Sequence, residues 1–352
     1  MQKININGTN IGKNCPCYTI AEAGANHEGD IKKALKLIDA AKKSGVNAIK
    51  FQNYTAAKLT TKTAPKYWDD GIKNESQFDV FDKLDKLSDD EWSQIFDYAR
   101  KKDITCFSTP FDMDSVDLLE SLNVPAYKIA SADITHTPLV KKIASKQKPI
   151  FISTGMASMD EVHDAVSIIQ DEGNEEIIIM HCITSYPTKS EDANLDMIKS
   201  LDLEFPDYII GYSDHTLGTD IASYSIFYGS KCIEKHFTYD KNLSVSRDHR
   251  LSLNSDDFKE LIKKIKLIEM SRGLGVRDNF SAESSAVEFA RRSIVSKYDI
   301  PKGTEITENM IDVKRPGTGI LPKYFFKIIG SKTLKDIPED STIQWNDIDF
   351  NQ

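Results

Sequence analysis

The chain has 352 residues, 28% of them charged and 40% hydrophobic, with a formal net charge of −9. A surface this acidic has no general attraction to nucleic acid or to an anionic membrane, so any positive field for an anionic substrate must be local to a pocket. The length is enough for about two domains. The five cysteines, Cys15, Cys17, Cys106, Cys182 and Cys232, are odd in number and scattered; they read as free thiols of a reducing compartment rather than a disulfide framework. The polar start, Met1-Gln2-Lys3-Ile4-Asn5, does not resemble a signal peptide, and no apolar run is long enough to cross a bilayer, so the expected location is cytoplasmic.

The first fifteen or so residues read as a hairpin turning at Asn7-Gly8-Thr9-Asn10. A short apolar run, Tyr18–Ala21, leads to a helix that Asp30 can cap, that carries Ile31, Ala34, Leu35 and Ile38 on one face, and that Gly45 ends. Seven more strand-like runs follow: Ala48–Phe51, Thr105–Ser108, Ala126–Ala130, Ile150–Ser153, Ile177–His181, Tyr208–Tyr212 and Cys232–Phe237. Helical patterns separate most of them, among them Asp90–Lys101, Ser158–Gln170, Asp220–Tyr228 and Asp256–Met270. Eight strands alternating with helices predict an α/β fold, a closed (β/α)8 TIM barrel, over residues 1–273. An open doubly wound sheet is the alternative, but Glu22-Ala23-Gly24-Ala25-Asn26 lacks the glycine-rich fingerprint expected after its first strand. Residues 274–287 read as a linker, and 288–352 as a small β-rich domain. That tail holds a faint repeat: Asp299-Ile300-Pro301 returns as Asp336-Ile337-Pro338, and Ile306, Asn309 and Ile311 as Ile343, Asn346 and Ile348. Two related halves, or one turn type used twice, both account for it.

Catalytic groups of such barrels gather at the C-terminal strand ends. There the sequence offers Glu22, Lys50 with Gln52, Ser108-Thr109, Lys128 with Ser131 and Asp133, Ser153-Thr154-Gly155, His181, Ser213-Asp214-His215, and Glu234 with His236. Two chemistries separate. Lys50 and Lys128, with hydroxyls such as Thr109 and Ser153, suit an anion carrying phosphate and carboxylate; each lysine could instead pair with a buried carboxylate. His215 and His236 end neighbouring strands and could share one Mn, Fe, Co or Zn ion with positions left open, although a lone strand-end histidine is more often structural.

Read in order, the strings Glu22-Ala23-Gly24-Ala25-Asn26-His27-Glu28-Gly29, Lys50-Phe51-Gln52, Ser108-Thr109-Pro110-Phe111-Asp112, Lys128-Ile129-Ala130-Ser131, Ser153-Thr154-Gly155-Met156, His181-Cys182, Tyr186-Pro187, Gly211-Tyr212-Ser213-Asp214-His215-Thr216 and Glu234-Lys235-His236-Phe237-Thr238 resemble the sialic acid synthase family. The tail, with Arg291-Arg292-Ser293, Ile300-Pro301-Lys302-Gly303 and Lys314-Arg315-Pro316-Gly317, resembles that family's antifreeze-like SAF domain.

The resemblance implies condensation of phosphoenolpyruvate with an N-acetylmannosamine-like aldehyde to give a nonulosonic acid and phosphate. It implies a divalent metal on His215 and His236, usually Mn2+, with Mg2+ or Co2+ as options. Lys50, Thr109, Lys128, Ser131, Ser153 and Ser213 would hold phosphoenolpyruvate. Glu22 and Asp133 would steer charge, water and proton at carbon 2, and Asp248 would contact the sugar or a metal-bound water. Tyr186 and Arg247 would line the sugar pocket, with a packed aromatic as the plain alternative for Tyr186; His181 is expected to be structural. A domain-swapped homodimer would bring Arg315 over the partner's sugar site. Asp133 stands where well-known members carry Glu, and Ser246-Arg247 where Gly-Pro precedes the Asp-His; both departures leave the sugar open, so that legionaminic and pseudaminic acid synthases are alternatives. More remote readings are a synthase of deoxy-octulosonate or deoxy-heptulosonate phosphate, a Schiff-base aldolase using Lys50, Lys128 or Lys235, and a binding protein with an inactive barrel.

Overall fold

The computed structural model describes residues 3–68, 74–243, 245–273, 275–277 and 281–350. The chain divides into two compact units, Met1–Gly273 and Leu274–Gln352. In the first, β1 (Ile4–Ile6) and β2 (Thr9–Ile11) pair antiparallel. Their turn is the two residues Asn7-Gly8 rather than four, with φ of 49° and 85°. Both lie in the left-handed region that a two-residue hairpin turn matching strand twist requires. Thr9 and Asn10 belong to β2.

Eight parallel strands then close on themselves: β3 (Tyr18–Gly24), β4 (Ala48–Asn53), β5 (Thr105–Pro110), β6 (Tyr127–Ile129), β7 (Ile150–Ser153), β8 (Ile177–Cys182), β9 (Ile209–Asp214) and β10 (Cys232–His236), with β10 pairing both β9 and β3. Outside them run α1 (Ile31–Ser44), α2 (Ala56–Leu59), α3 (Gln77–Leu84), α4 (Asp89–Lys101), α5 (Met113–Ser121), α6 (Thr137–Ala144), α7 (Met159–Asp171), α8 (Asp196–Glu204), α9 (Asp220–Tyr224) and α10 (Ser255–Arg272). This is the TIM barrel that the alternation of elements predicts. No described helix is long and apolar enough to cross a membrane.

Local signals set the helix ends. Asp30 caps α1 by accepting from the Lys32 N–H at 2.7 Å, and Gly45 closes it at φ 82°. Ser88 and Ser158 each form a capping box with the glutamate three residues on. The expected helix 220–228 stops at Tyr224 and continues as turns.

Period-two alternation sorts the strands' side chains. Ala21, Ala23, Ile49 and Phe51 face the helices in the main core. Tyr18, Ile20, Ala48, Phe107, Phe151 and Ile178 form a separate cluster with Ile4, Ile6 and Ile11 of the hairpin. The hairpin therefore seals the N-terminal end of the barrel with apolar contacts. Moving along the strands, the series changes from Ile20 to Glu22 and from Ala48 to Lys50, and the interior becomes polar only towards the C-terminal ends.

The second unit contains α11 (Ser284–Phe289), the antiparallel pair β11 (Ser293–Ser296) and β12 (Ile311–Lys314), and the pair β13 (Lys332–Thr333) and β14 (Ile348–Asp349). Of the expected linker, residues 281–287 already form a 3-10 turn and the start of α11, while 274 and 278–280 lie outside the described residues. The repeat is a structural one. Buried Ile306, Ile311, Ile343 and Ile348 occupy matching places, and Ile300 and Ile337 pair antiparallel, exchanging N–H···O bonds of 2.8 and 2.9 Å. Two related halves thus bury one isoleucine core between them. Ile337→Ala is expected to cost about 2–4 kcal/mol, measured as a lower denaturant midpoint for the unfolding of this unit in the whole chain.

Candidate active site

A cavity of about 490 Å³ opens at the C-terminal strand ends. Its floor is a set of charges. Lys50 Nζ lies 2.7 Å from Glu22 Oε2 and 3.8 Å from Glu234 Oε1, and Lys128 Nζ lies 3.0 and 3.1 Å from the two oxygens of Glu234. Register explains the grouping: Glu22 sits beside Lys50 on β4 and beside His236 on β10, and Glu234 sits beside Ser213 on β9. All four side chains are buried. Neither lysine is a bare cation; each is paired with a carboxylate, the alternative that the strand pattern left open.

The carboxylates differ. Burial, reinforced by Glu234, raises the Glu22 pKa against the pull of Lys50. Burial also acts to raise Glu234, but Lys128 and Lys50 outweigh it and hold that group down to about 2. Lys128 is likewise buried, yet Glu234 and Glu22 keep its pKa above the ordinary value. The two carboxyls of the floor are thus unequal: Glu234, between both lysines, is held ionised, and Glu22 is the one more easily protonated.

Hydroxyls surround it. Thr109 Oγ1 accepts from Lys50 at 2.9 Å, and Ser213 Oγ donates to Glu234 at 3.1 Å. Ser131 Oγ accepts the Gly155 N–H at 3.0 Å. A Cβ on Gly155 would stand 2.3 Å from Thr184 Oγ1 and 2.8 Å from Ser131 Oγ, so only glycine fits between them. Ser153 Oγ, Thr184 Oγ1 and Asp133 Oδ2 are buried without a hydrogen-bond partner. Buried polar atoms are rarely left so, and their gathering around one cavity suits a polar ligand.

Beside the floor stand the two histidines. Their ring centroids are 5.3 Å apart, and Tyr186 lies 4.2 Å from His215 and 6.0 Å from His236. His215 Nδ1 donates to the Ile183 carbonyl at 2.8 Å, which leaves Nε2 as its ligating atom. His236 Nδ1 is buried without a hydrogen bond, 3.8 Å from Asp248 Oδ2. Arg247 completes this side: its guanidinium carbon is 3.7 Å from the centroid of Trp68, 5.4 Å from that of Tyr186, and its Nε is 3.5 Å from Asp248 Oδ1.

Residues 37–277 match the NeuB family, and residues 291–349 match the SAF domain. The chain belongs to the NeuB family. It is 42% identical to uncharacterized protein MJ1065 of Methanocaldococcus jannaschii, with 99% of each chain covered. It is 37% identical to the N,N'-diacetyllegionaminic acid synthase of Campylobacter jejuni, covering 92% of this chain and 98% of the relative. The crystal structure of N-acetylneuraminic acid (sialic acid) synthetase from Leptospira borgpetersenii, in complex with citrate, matches with a TM-score of 0.73 at 32% identity, covering 81% of this chain and 95% of that one.

In this NeuB-family barrel, Glu22, Lys50, Thr109, Lys128, Ser131, Asp133, Ser153, Tyr186, Ser213, His215, His236, Arg247 and Asp248 all line the one cavity. Arg315 belongs to the C-terminal unit, where it is exposed. His181 packs instead: its Nε2 donates to the Ala193 carbonyl at 2.9 Å and its ring stacks on Tyr212. Lys235 points away from the cavity and is bonded at 2.6 Å to both Asp214 Oδ2 and the Thr216 carbonyl.

Strand position alone gives Glu234 and Gln52 no task. They turn out to pair with Lys128 and, at 2.8 Å, with Glu22 Oε1. Nor does strand position point to the apolar wall formed by Tyr54, Leu59, Val80, Phe81 and Leu84 after β4. Val80, Phe81 and Leu84 at one-turn spacing were the available signal.

A transition metal would find suitable donors in the histidine pair. Burial lowers the His236 pKa to about 4, so the imidazole is neutral, as ligation requires. Burial also works against a charged His215, but Cys182, whose Sγ is 3.8 Å from Nδ1, keeps that ring the more basic one. Among the described residues no group of three or more His, Cys, Asp or Glu side chains is arranged to hold a metal ion.

Asp133 gives a pH signature. Burial, opposed weakly by His136, raises its pKa from 3.8 to about 6. The folded state therefore holds a proton that the unfolded chain releases between those values, and this group's contribution to stability falls as pH rises through that window. Asp133→Asn is expected to raise stability at neutral pH by about 1 kcal/mol, partial exposure reducing the full linkage value, and to flatten the melting temperature between pH 4 and 6 in a thermal-unfolding series, a range set by the same shift.

Proposed function

We propose that this chain is a nonulosonic acid synthase that joins phosphoenolpyruvate to the open-chain aldehyde of an acylamino sugar, releasing inorganic phosphate. The observation that carries the reading is one cavity in which a floor of two buried lysine–glutamate pairs adjoins a histidine pair. The family relationship supports it, as do the names of the relatives described above.

Lys50 and Lys128, with Thr109, Ser131, Ser153 and Ser213, bind the phosphate and carboxylate of phosphoenolpyruvate. The unpartnered Ser153 hydroxyl and, newly, Thr184 have donors to offer. A divalent ion on His215 and His236, Mn2+ being the expected one, would supply Lewis-acid polarisation of the aldehyde oxygen. Carbon 3 of phosphoenolpyruvate forms the new bond to the aldehyde carbon, whose oxygen takes up a proton. Positive charge then develops at carbon 2, where water adds and loses a proton before the carbon–oxygen bond to phosphate breaks. Glu22 is suited to relay that water proton, because burial keeps its pKa above that of an ordinary carboxyl. Asp133, also raised, shares the task of steering the water. Asp248, Tyr186 and Arg247 position the sugar beside His236.

N-acetylmannosamine, giving N-acetylneuraminate, is the first sugar proposed. A diacetamido-trideoxyhexose, giving a legionaminic- or pseudaminic-type product, is a second reading favoured by the apolar wall and by Arg247 with its buried, partnerless Nη1. A Schiff-base aldolase fits poorly: such a lysine needs a depressed pKa, whereas that of Lys128 is raised and Lys235 is turned away in an ion pair.

The test is a phosphate-release assay with phosphoenolpyruvate, Mn2+ and a panel of N-acetylmannosamine, its 6-phosphate and diacetamido-trideoxyhexoses. Chelator is expected to stop release and Mn2+ to restore it. His215→Ala is expected to lose release by more than about 100-fold and to lose Mn2+ binding in calorimetry. Wild-type turnover and Mn2+ affinity in that variant would remove the metal site from the reading.

We also propose that Arg315 serves the sugar site of a second copy in a domain-swapped homodimer. Mixing unfolded His215→Ala and Arg315→Ala chains and refolding them together should then restore about a quarter of wild-type activity, since half the dimers would hold one intact site of two. No recovery above either parent would exclude a shared site.

A further inference from the structure

The segment Asn26-His27-Glu28 follows β3 but does little inside the cavity. Glu28 has a positive φ of 54° and a side chain only 2% exposed. Its Oε1 accepts from the backbone N–H groups of Val245 and Ser246 at 3.1 and 3.2 Å, and from His249 Nε2 at 3.2 Å. Lys33 holds its other oxygen. Asn26 is fully buried; its Oδ1 accepts from Ser246 Oγ at 2.7 Å, and its Nδ2 donates to the Phe237 carbonyl at 2.9 Å and to Ser252 Oγ at 3.1 Å. Ser252 Oγ in turn donates to the Asp248 carbonyl at 2.6 Å. His27 anchors the base of the segment, its Nδ1 accepting the Gly29 N–H and its ring edge-on to Trp92.

Apart from the Lys33 contact and the His27 anchor, these bonds end on the turn that carries Arg247 and Asp248, on the residues flanking it, or on the strand end beneath it. That turn is a single 3-10 coil, Arg247–Arg250, with no aliphatic side chain and His249 as its one buried residue. Short loops without a buried apolar face open easily unless polar ties hold them. A carboxylate accepting three donors in a dry site is a strong tie. Lys50, Lys128 and Ser153, in contrast, project from barrel strands and owe nothing to the clamp.

We propose that Glu28, with Asn26, is a positioning clamp for the aldehyde side of the site: it fixes Asp248 beside His236 and Arg247 against Trp68. The clamp rests on the synthase reading above for its kinetic consequence, and on geometry alone for its structural one. Removing it loosens the sugar side and leaves the phosphoenolpyruvate side intact.

The experiment compares wild type, Glu28→Ala, Glu28→Gln and Lys33→Met as full-length chains. In phosphate release, Glu28→Ala is expected to raise the aldehyde KM about 10-fold or more, with the phosphoenolpyruvate KM unchanged within about twofold. Glu28→Gln keeps an acceptor for the two backbone N–H groups and should recover most of the loss. Lys33→Met removes the partner that does not touch the turn and should behave as wild type. Equal shifts for both substrates, no shift in Glu28→Ala, or an equal defect in Lys33→Met would each overturn the clamp. Amide hydrogen exchange supplies a readout independent of activity: the Val245 and Ser246 amides should exchange at least about 10-fold faster in Glu28→Ala while barrel-strand amides stay unchanged. If Glu28→Ala does not fold, Ser246→Ala, which cuts the tie to Asn26, should shift the same KM and the same amides by a smaller factor; unchanged values there would also overturn it. Wild type that releases no phosphate with any aldehyde would defeat the synthase reading alone, and the exchange result would still decide the clamp.

Discussion

The structure turns on four ionisable side chains enclosed within the barrel: Glu22, Lys50, Glu234 and Lys128, linked in that order by contacts of 2.7, 3.8 and 3.0 Å. Charges removed from water are costly unless each has a partner, and loss of one member leaves another stranded. The alternating order supplies those partners in the absence of ligand. It does not make the members equal. Glu234 is flanked by both lysines and stays ionised, whereas Glu22 has one close lysine and is pushed by burial toward its neutral form. The floor thus combines two buried lysines with one carboxylate held ionised and one carboxyl more easily protonated than usual, within a protein that is acidic overall.

The rest of the barrel maintains this arrangement. The Asn7-Gly8 hairpin closes the opposite end with isoleucines, so the polar half of the interior opens in one direction only. On the outer side of the sheet, Lys235 and Asp214 form a second buried pair, joined by the Tyr212 hydroxyl and by the Thr216 N–H and hydroxyl. This network fixes the backbone on both sides of His215. One strand therefore contributes Glu234 and His236 to the cavity and Lys235 to the support behind it, as period-two alternation dictates.

Above the floor the site is built from loops, and its two halves are held by different means. Strand residues owe their positions to barrel register. Arg247 and Asp248 owe theirs to polar ties from the Asn26–Glu28 segment and to stacking on Trp68. Loops are where relatives on one fold diverge in what they accept, and the Ser246-Arg247 departure from the familiar Gly-Pro lies on such a loop.

Much of this was legible in the sequence. Alternating apolar runs and capped amphipathic helices identified eight strands and a barrel, because burial of one face enforces a period that the order of apolar and polar residues reveals. Strand-end position then selected ten of the thirteen site residues that share the cavity, and the family resemblance added Tyr186, Arg247 and Asp248. The 37-residue echo of Ile300 in Ile337 was visible as well, but only pairing across the tail revealed that the halves bond to each other. Tertiary structure decided the partners. That Lys50 meets Glu22, that Lys128 meets Glu234, that Lys235 turns outward into a pair with Asp214, and that Glu28 grips a turn some 217 residues away all depend on which strands and loops become neighbours when the sheet closes. A one-dimensional pattern records which face a side chain takes; the distance between two charges, and hence which of them keeps its proton, exists only after the barrel has brought distant segments together.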